Sequence, residues 1–141
     1  MSDWLSKALE MFPELSKDFE LAEISPMSFW IELRNAFQEA YSSQPINENL
    51  IGRIYDYASW CVAQPETNSV EDDLATAVAV CFIEHLPETP AVANDLYRWM
   101  SMDSFTGCES LFRYHLSDQE YKAFRLNFLN RKKSYSGPSH L

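Results

Sequence analysis

The stretch of sequence that decides the fold is SVEDDLATAVAVCFIEHLP, at residues 69–87. Ser69 is a preferred helix N-cap residue, and three acidic residues follow it in the first turn, where they favour the positive end of the helix dipole. From Leu74 to Ile83 nearly every side chain is apolar. Because a helix that is apolar all round has to be surrounded by protein, this pattern predicts a central buried helix over 69–86. A buried strand at 78–83 is the competing interpretation, but the cap and the alanines favour a helix.

Cap residues and helix-breaking prolines divide the rest of the chain into further helices. The predicted helices span 2–12, 26–43, 47–64, 90–102, 109–115 and 118–130. Helices 26–43 and 47–64 form one predicted hairpin, and helices 69–86 and 90–102 form a second. The sequence therefore predicts an all-α fold, a compact bundle of six to seven helices. It consists of the two hairpins plus N- and C-terminal helices around helix 69–86.

Size and composition predict one helical domain over residues 1–130 and a flexible, basic then polar tail over 131–141. The chain has 141 residues, of which 46% are apolar, enough for a single core. Its three cysteines form no CxxC pair, the N-terminus lacks the features of a signal peptide, and no apolar stretch approaches the ~20 residues of a membrane span. These features predict a cytoplasmic protein that does not bind membranes.

The charge indicates which partners the chain could bind. The net charge is −10, although residues 111–141 carry two acidic and six basic side chains. An acidic body repels nucleic acid phosphates, so the sequence predicts no nucleic acid partner and favours a basic protein. The simpler interpretation, that acidity only keeps the protein soluble, stays open.

Motifs that carry chemistry are missing from the sequence. It contains no HxxxH, HExxH or CxxC pair, no P-loop, no GxGxxG and no G-x-S-x-G element. Glu84 and His85 are adjacent and would point about 100° apart on a helix, and His85 can serve as a cation at the negative end of helix 69–86. We therefore predict no catalytic, cofactor-binding or metal-binding residue.

Three function classes remain. The first is a non-enzymatic protein-interaction module, such as an immunity or antitoxin-like protein that binds a basic partner. Its predicted docking surface consists of Asp56, Trp60, Glu66, Glu71, Asp72 and Asp73. The second is a small enzyme with a cryptic site near His85, an alternative pocket built from Arg53, Tyr55, Glu84 and His85. The third is a homodimeric scaffold.

Three segments also carry a family resemblance. They are FWIELRNAFQEAY at 29–41, LIGRIYDYASWCVAQ at 50–64 and DLATAVAVCFIEHLP at 73–87. Together they resemble an uncharacterised bacterial family of small all-helical domains, a domain of unknown function. The resemblance implies an all-α fold and a bacterial cytoplasmic setting, and it implies no activity and no functional residue.

Overall fold

The computed structural model of the chain describes residues 3–17, 25–67 and 73–141, which form helices and no strand. Three short 3-10 segments, Pro13–Leu15, Ile83–Glu88 and Leu96–Arg98, lie between the α-helices. The α-helices are α1 (Asp3–Met11), α2 (Pro26–Ser42), α3 (Glu48–Val62), α4 (Leu74–Cys81), α5 (Pro90–Asp95), α6 (Met102–Gly107), α7 (Glu109–Arg113) and α8 (Asp118–Lys132). The predicted all-α class is confirmed, and the alternative of a strand at 78–83 is wrong.

The chain divides into two compact units, Met1–Phe82 and Ile83–Leu141. The sequence predicted one domain over 1–130 and no boundary after Phe82. The boundary also separates the helices of the second predicted hairpin, because α4 belongs to the first unit and α5 to the second. The predicted arrangement of two hairpins around one central helix is therefore not confirmed. Among the described residues, no helix has the length and apolar character needed to cross a membrane.

Helices α2 and α3 pack together, α4 packs against both, and α1 packs against α3. Helix α2 begins where the sequence predicts, because the Ser25 side chain accepts a hydrogen bond from the Ser28 amide and Pro26 occupies the first helical position. The Asn47 side chain caps α3 in the same way. The first predicted hairpin is thus confirmed to within two residues at each helix end.

An aromatic cluster forms the core of the first unit. The Trp30 ring, which is fully buried, lies 5.5 Å from the Tyr57 ring and 5.1 Å from the Phe82 ring between centroids. Phe37 meets Phe82 edge to face at 4.9 Å. The Tyr57 hydroxyl donates to the Trp4 carbonyl at 3.0 Å, which attaches α1 to this cluster. Such aromatic pairs each add about 0.5–1.5 kcal/mol beyond the area they bury.

Helix α4 is shorter and less buried than the predicted helix 69–86. It begins at Leu74, while Ser69 lies outside the described residues, and it ends at Cys81. The chain then continues as the 3-10 segment Ile83–Glu88, because Pro87 lacks an amide hydrogen and its ring clashes with an α-helical carbonyl four residues earlier. Val80 is 40% exposed, so the prediction of a helix buried on all sides is wrong.

The second unit contains more and shorter helices than predicted. Residues 90–102 do not form one helix: α5 is followed by the 3-10 segment Leu96–Arg98, and α6 starts at Met102. The restart follows from Ser101, whose hydroxyl accepts a hydrogen bond from the Ser104 amide at 3.1 Å. Helix α8 packs against α5, the Leu96–Arg98 segment and α7.

The last residues of the chain make ordered contacts within the second unit. The amides of His140 and Leu141 both donate to the Trp99 carbonyl, at 2.9 and 2.8 Å. The Leu141 carbonyl accepts a hydrogen bond from the Ser104 hydroxyl at 2.9 Å. The tail 131–141, predicted to be flexible, is instead held by hydrogen bonds that a pattern of polar and basic residues could not reveal.

Candidate functional site

The predicted docking surface lies partly on α3. Asp56 is exposed there, and Trp60, four residues later, occupies the same face of the helix. The half-buried Trp60 ring stacks on Tyr57, with centroids 5.8 Å apart and planes inclined by 16°. Glu66 is exposed beyond the end of α3. This part of the surface therefore combines two exposed carboxylates with an aromatic side chain whose orientation is fixed.

Of the three remaining acidic residues of the predicted docking surface, the structure describes Asp73 alone. Asp73 is the N-cap of α4: its carboxylate accepts hydrogen bonds from the Ala75 amide at 3.2 Å and the Thr76 hydroxyl at 2.8 Å. Glu71 and Asp72 lie outside the described residues. Asp73 is thus half-buried and has a structural role in addition to its charge.

The two units differ sharply in charge. The first unit carries 14 acidic and four basic residues, a net charge of −10, whereas the second carries seven of each. The whole net charge of the chain therefore resides in Met1–Phe82. This distribution was hidden in the sequence because the unit boundary was not predicted.

Two members of the alternative pocket hold the first unit together. The Arg53 guanidinium donates to both carboxylate oxygens of Glu14, at 2.7 and 2.6 Å, and to the Met11 carbonyl at 2.9 Å. The hydrogen bond from Arg53 lowers the pKa of Glu14, and the same bond raises the pKa of Arg53. Tyr55 is fully buried between Phe37 and Phe82. Contacts within the first unit therefore engage Arg53 and Tyr55.

The Arg53–Glu14 ion pair makes stability depend on pH. Because the folded-state pKa of Glu14 lies below its ordinary value of 4.5, the pair stabilises the fold above that value and loses its effect as the pH falls. Glu14→Gln should lower the free energy of unfolding by about 0.5–1 kcal/mol near pH 7, since the pair is partly exposed, and by less at about pH 3.5. Urea unfolding at both pH values measures this. Glu10→Gln, an exposed carboxylate of α1, is the control; an equal loss at both pH values for Glu14→Gln would contradict the prediction.

The other two members of the alternative pocket belong to a cluster in the second unit. Glu84 is 8% exposed and is the one buried charged residue among those the structure describes. Its carboxylate oxygen Oε1 lies 2.6 Å from Nε2 of His115, which follows α7. Helix α7 packs against the 3-10 segment that carries Glu84 and His85. These contacts place two histidines beside one buried carboxylate.

The two histidine rings are held by further contacts. They stack with centroids 5.2 Å apart and planes inclined by 25°. Nδ1 of His85 lies 2.6 Å from the Glu88 carboxylate. The rings of Tyr114 and His115 meet edge to face, with centroids 4.9 Å apart. Glu84, His85 and His115 can each offer one ligand atom, and these atoms lie within 4.8 Å of one another. Two imidazoles and one carboxylate are a donor set that suits transition metals such as zinc.

Residues 5–115 match the family described as Domain of unknown function (DUF7674). The chain belongs to the DUF7674 family. The match runs from α1 past the end of α7 and includes all three residues of the Glu84–His85–His115 cluster. It confirms the resemblance to a domain of unknown function that three segments indicated. No curated protein and no solved structure matches the chain.

Motif reasoning missed the cluster in this DUF7674 domain for a physical reason. Metal-ligand motifs such as HxxxH describe two ligands on one helix, whereas Glu84 and His115 lie 31 residues apart on separate elements. Because Glu84 and His85 are adjacent and would point apart on a helix, the sequence argued against a site that both share. That argument did not include a third residue, His115, which lies close to both. The one available signal was that the chain has just three histidines, two of them within the family match.

The cysteines of the DUF7674 domain have the character of structural residues. Cys61 and Cys81 are buried and Cys108 is half-buried. Burial raises the pKa of Cys61 to about 11 and also raises the pKa of Cys108. Since the thiolate is the nucleophilic form, neither thiol is activated for covalent chemistry at neutral pH.

Proposed function

We propose that this DUF7674 domain is a non-enzymatic protein-interaction module whose acidic first unit binds a basic protein. The observation that supports this is the confinement of the net charge of −10 to Met1–Phe82. A surface of one sign attracts a partner of the opposite sign and can raise association rates by one to three orders of magnitude. It repels nucleic acid and anionic membrane, so neither is proposed as a partner. An immunity or antitoxin-like protein of the bacterial cytoplasm is the concrete form of this proposal.

The proposed docking surface is centred on Asp56 and Trp60. Interfaces favour aromatic anchors over flexible side chains, because little conformational entropy is lost when a ring already held in place is covered. The stacking of Trp60 on Tyr57 supplies that order. The surface continues to Glu66, and Glu71, Asp72 and Asp73 extend it in sequence. Asp73 contributes its charge while capping α4.

Charge reversal within one unit tests this proposal. Asp56→Lys with Glu66→Lys is compared with Glu32→Lys with Glu39→Lys, two exposed acids of α2, so both variants change the charge by the same amount. The protein that the unaltered chain captures from the native host is then used to measure association. At low salt, the first variant should slow association roughly tenfold relative to the second, and high salt should remove the difference.

In the same assay, Trp60→Ala distinguishes the contribution of an aromatic contact in the bound complex from the attraction between opposite charges before binding. It should leave the association rate nearly unchanged and speed dissociation at least roughly tenfold, the effect of losing an interface anchor. If the α2 control slows association as much as Asp56→Lys with Glu66→Lys, the charge acts without a defined surface. If the captured partner is acidic, or binding is insensitive to salt, the proposal fails.

The other function classes receive less support. A site joining Arg53 and Tyr55 to Glu84 and His85 is not favoured, because the Arg53 side chain pairs with Glu14 and Tyr55 is fully buried. The homodimeric scaffold stays a prediction, which light scattering of the purified chain tests directly.

A further inference from the structure

We propose that Glu84, His85 and His115 form a binding site for a divalent transition-metal ion, of which zinc is the best fit. The site lies wholly in the second unit and does not depend on the proposed docking surface of the first. The three ligand atoms, within 4.8 Å of one another, would supply two imidazole nitrogens and one carboxylate oxygen. This donor set favours zinc over Mg²⁺ and Ca²⁺, which prefer oxygen ligands alone.

Binding a metal requires the three ligand atoms, which lie within 4.8 Å of one another, to move relative to one another by up to about 1.5 Å. Zinc bonds of about 2.0–2.2 Å in tetrahedral geometry place neighbouring ligand atoms roughly 3.3 Å apart. Glu84 Oε1 and His115 Nε2 now share a hydrogen bond of 2.6 Å, so they would separate by about 0.7 Å as the metal replaces the proton between them. His115 keeps 36% of its side chain exposed, which leaves its ring room to rotate.

Glu88 gives the site the supporting contact that metal-binding histidines use. Such histidines almost always bond their second ring nitrogen to a carboxylate or carbonyl, which fixes the tautomer and the ring orientation. The Glu88 carboxylate lies 2.6 Å from Nδ1 of His85. With the proton held on Nδ1, Nε2 of His85 is left to coordinate the metal.

An ion pair between Glu84 and His115 with only a structural role would account for fewer of these contacts than a metal site does. Compensation of the buried Glu84 carboxylate requires His115 alone. It does not require a second imidazole stacked on the first, nor a carboxylate that orients the second imidazole. A metal would use all four groups. It would also cross-link two short elements, the six-residue 3-10 segment and the turn that follows the five-residue α7. Three protein ligands and partial exposure leave the fourth position to water.

Zinc binding to the full chain tests the site. The protein is prepared without a histidine tag and with Cys108→Ser, which removes the most accessible thiol. Zinc is then titrated in competition with a chromophoric chelator. We expect one zinc per chain, with micromolar or tighter affinity. His85→Ala and His115→Ala should each weaken binding at least about 100-fold, and Glu88→Gln should weaken it about 10–100-fold, the usual effect of losing an orienting partner. His140→Ala, a histidine outside the cluster, should leave the affinity unchanged.

Two further measurements keep the test decisive. Circular dichroism of each metal-free variant shows whether it is folded, and His115→Gln with Glu84→Gln replaces any alanine variant that is not. Cobalt(II) bound to the unaltered chain should show the intense visible absorption of a four-coordinate site, absent in His85→Ala. The proposal is overturned if the unaltered chain takes up no stoichiometric zinc, if zinc affinity survives in both histidine variants, or if Mg²⁺ competes equally.

Discussion

Trp30→Ala should destabilise the first unit by about 3–5 kcal/mol, a large share of the stability of a small domain. The side chain is fully buried, and its ring packs against Tyr57 of α3 and against Phe82, which follows α4. Removing it leaves a cavity where three helices meet, and these cannot close the gap without giving up their other contacts. Urea unfolding followed by circular dichroism measures the loss.

The adjacent residue of the same helix provides the control. Ile31 is 52% exposed, so Ile31→Ala should change the free energy of unfolding by about 0.5 kcal/mol. Because the chain divides into two units, hydrogen exchange of the α2 and α3 amides should show that the Trp30→Ala effect lies in the first unit. Similar losses for both variants would mean that the aromatic cluster does not determine the stability of this unit.

Local signals in the sequence predicted the first unit well. The Ser25–Pro26 start of α2 and the Asn47 cap of α3 depend on hydrogen bonds within one turn, so the residues that make them are adjacent in the chain. Trp30, Leu33 and Phe37 recur at the helical period, and all three are buried. A structural feature that depends on a few neighbouring residues, such as a helix cap, can be predicted from the sequence.

Structural features that depend on residues far apart in the chain could not be predicted from local signals. The apolar run after Leu74 suggested one long buried helix, but Pro87 restricts the backbone before it, and the segment 83–88 becomes 3-10 and belongs to the other unit. Two aromatic residues, Tyr57 and Trp99, belong to the core. Their burial depends on which helices meet, and periodicity within one helix does not carry that information.

The Glu84–His85–His115 cluster also depends on packing between elements, which the sequence could not reveal. The sequence identified Glu84 and His85 as a pair but joined them to Arg53 and Tyr55, which have partners in the first unit. The residue that completes the cluster, His115, lies in the turn that follows α7. Helix α7 has five residues, too few for a periodic pattern that would show which face packs inward. Only the packing of α7 against the 83–88 segment brings His115 to Glu84.

Phe105→Ala should destabilise the second unit by about 3–5 kcal/mol. The sequence predicted no helix at 103–108, yet Phe105 is 2% exposed in α6 and stacks on Phe128 of α8 with centroids 3.9 Å apart. Phe112 and Phe124 lie 5.2 and 5.5 Å from the same ring. A six-residue helix is not stable by itself, so α6 depends on this packing for its existence. Urea unfolding measures the loss, with Leu126→Ala, a 59% exposed position of α8, as the control.

The same substitution should also release the end of the chain. Ser101 and Ser104, at the start of α6, donate hydrogen bonds to the Leu141 carbonyl. If α6 loses its anchor, these donors lose their position, and hydrogen exchange at the His140 and Leu141 amides should accelerate along with that of α6. The Leu126→Ala control should leave both amides protected, because their acceptor, the Trp99 carbonyl, is undisturbed. Protection of the two amides that survives the loss of α6 would show that their hydrogen bonds to the Trp99 carbonyl do not depend on α6.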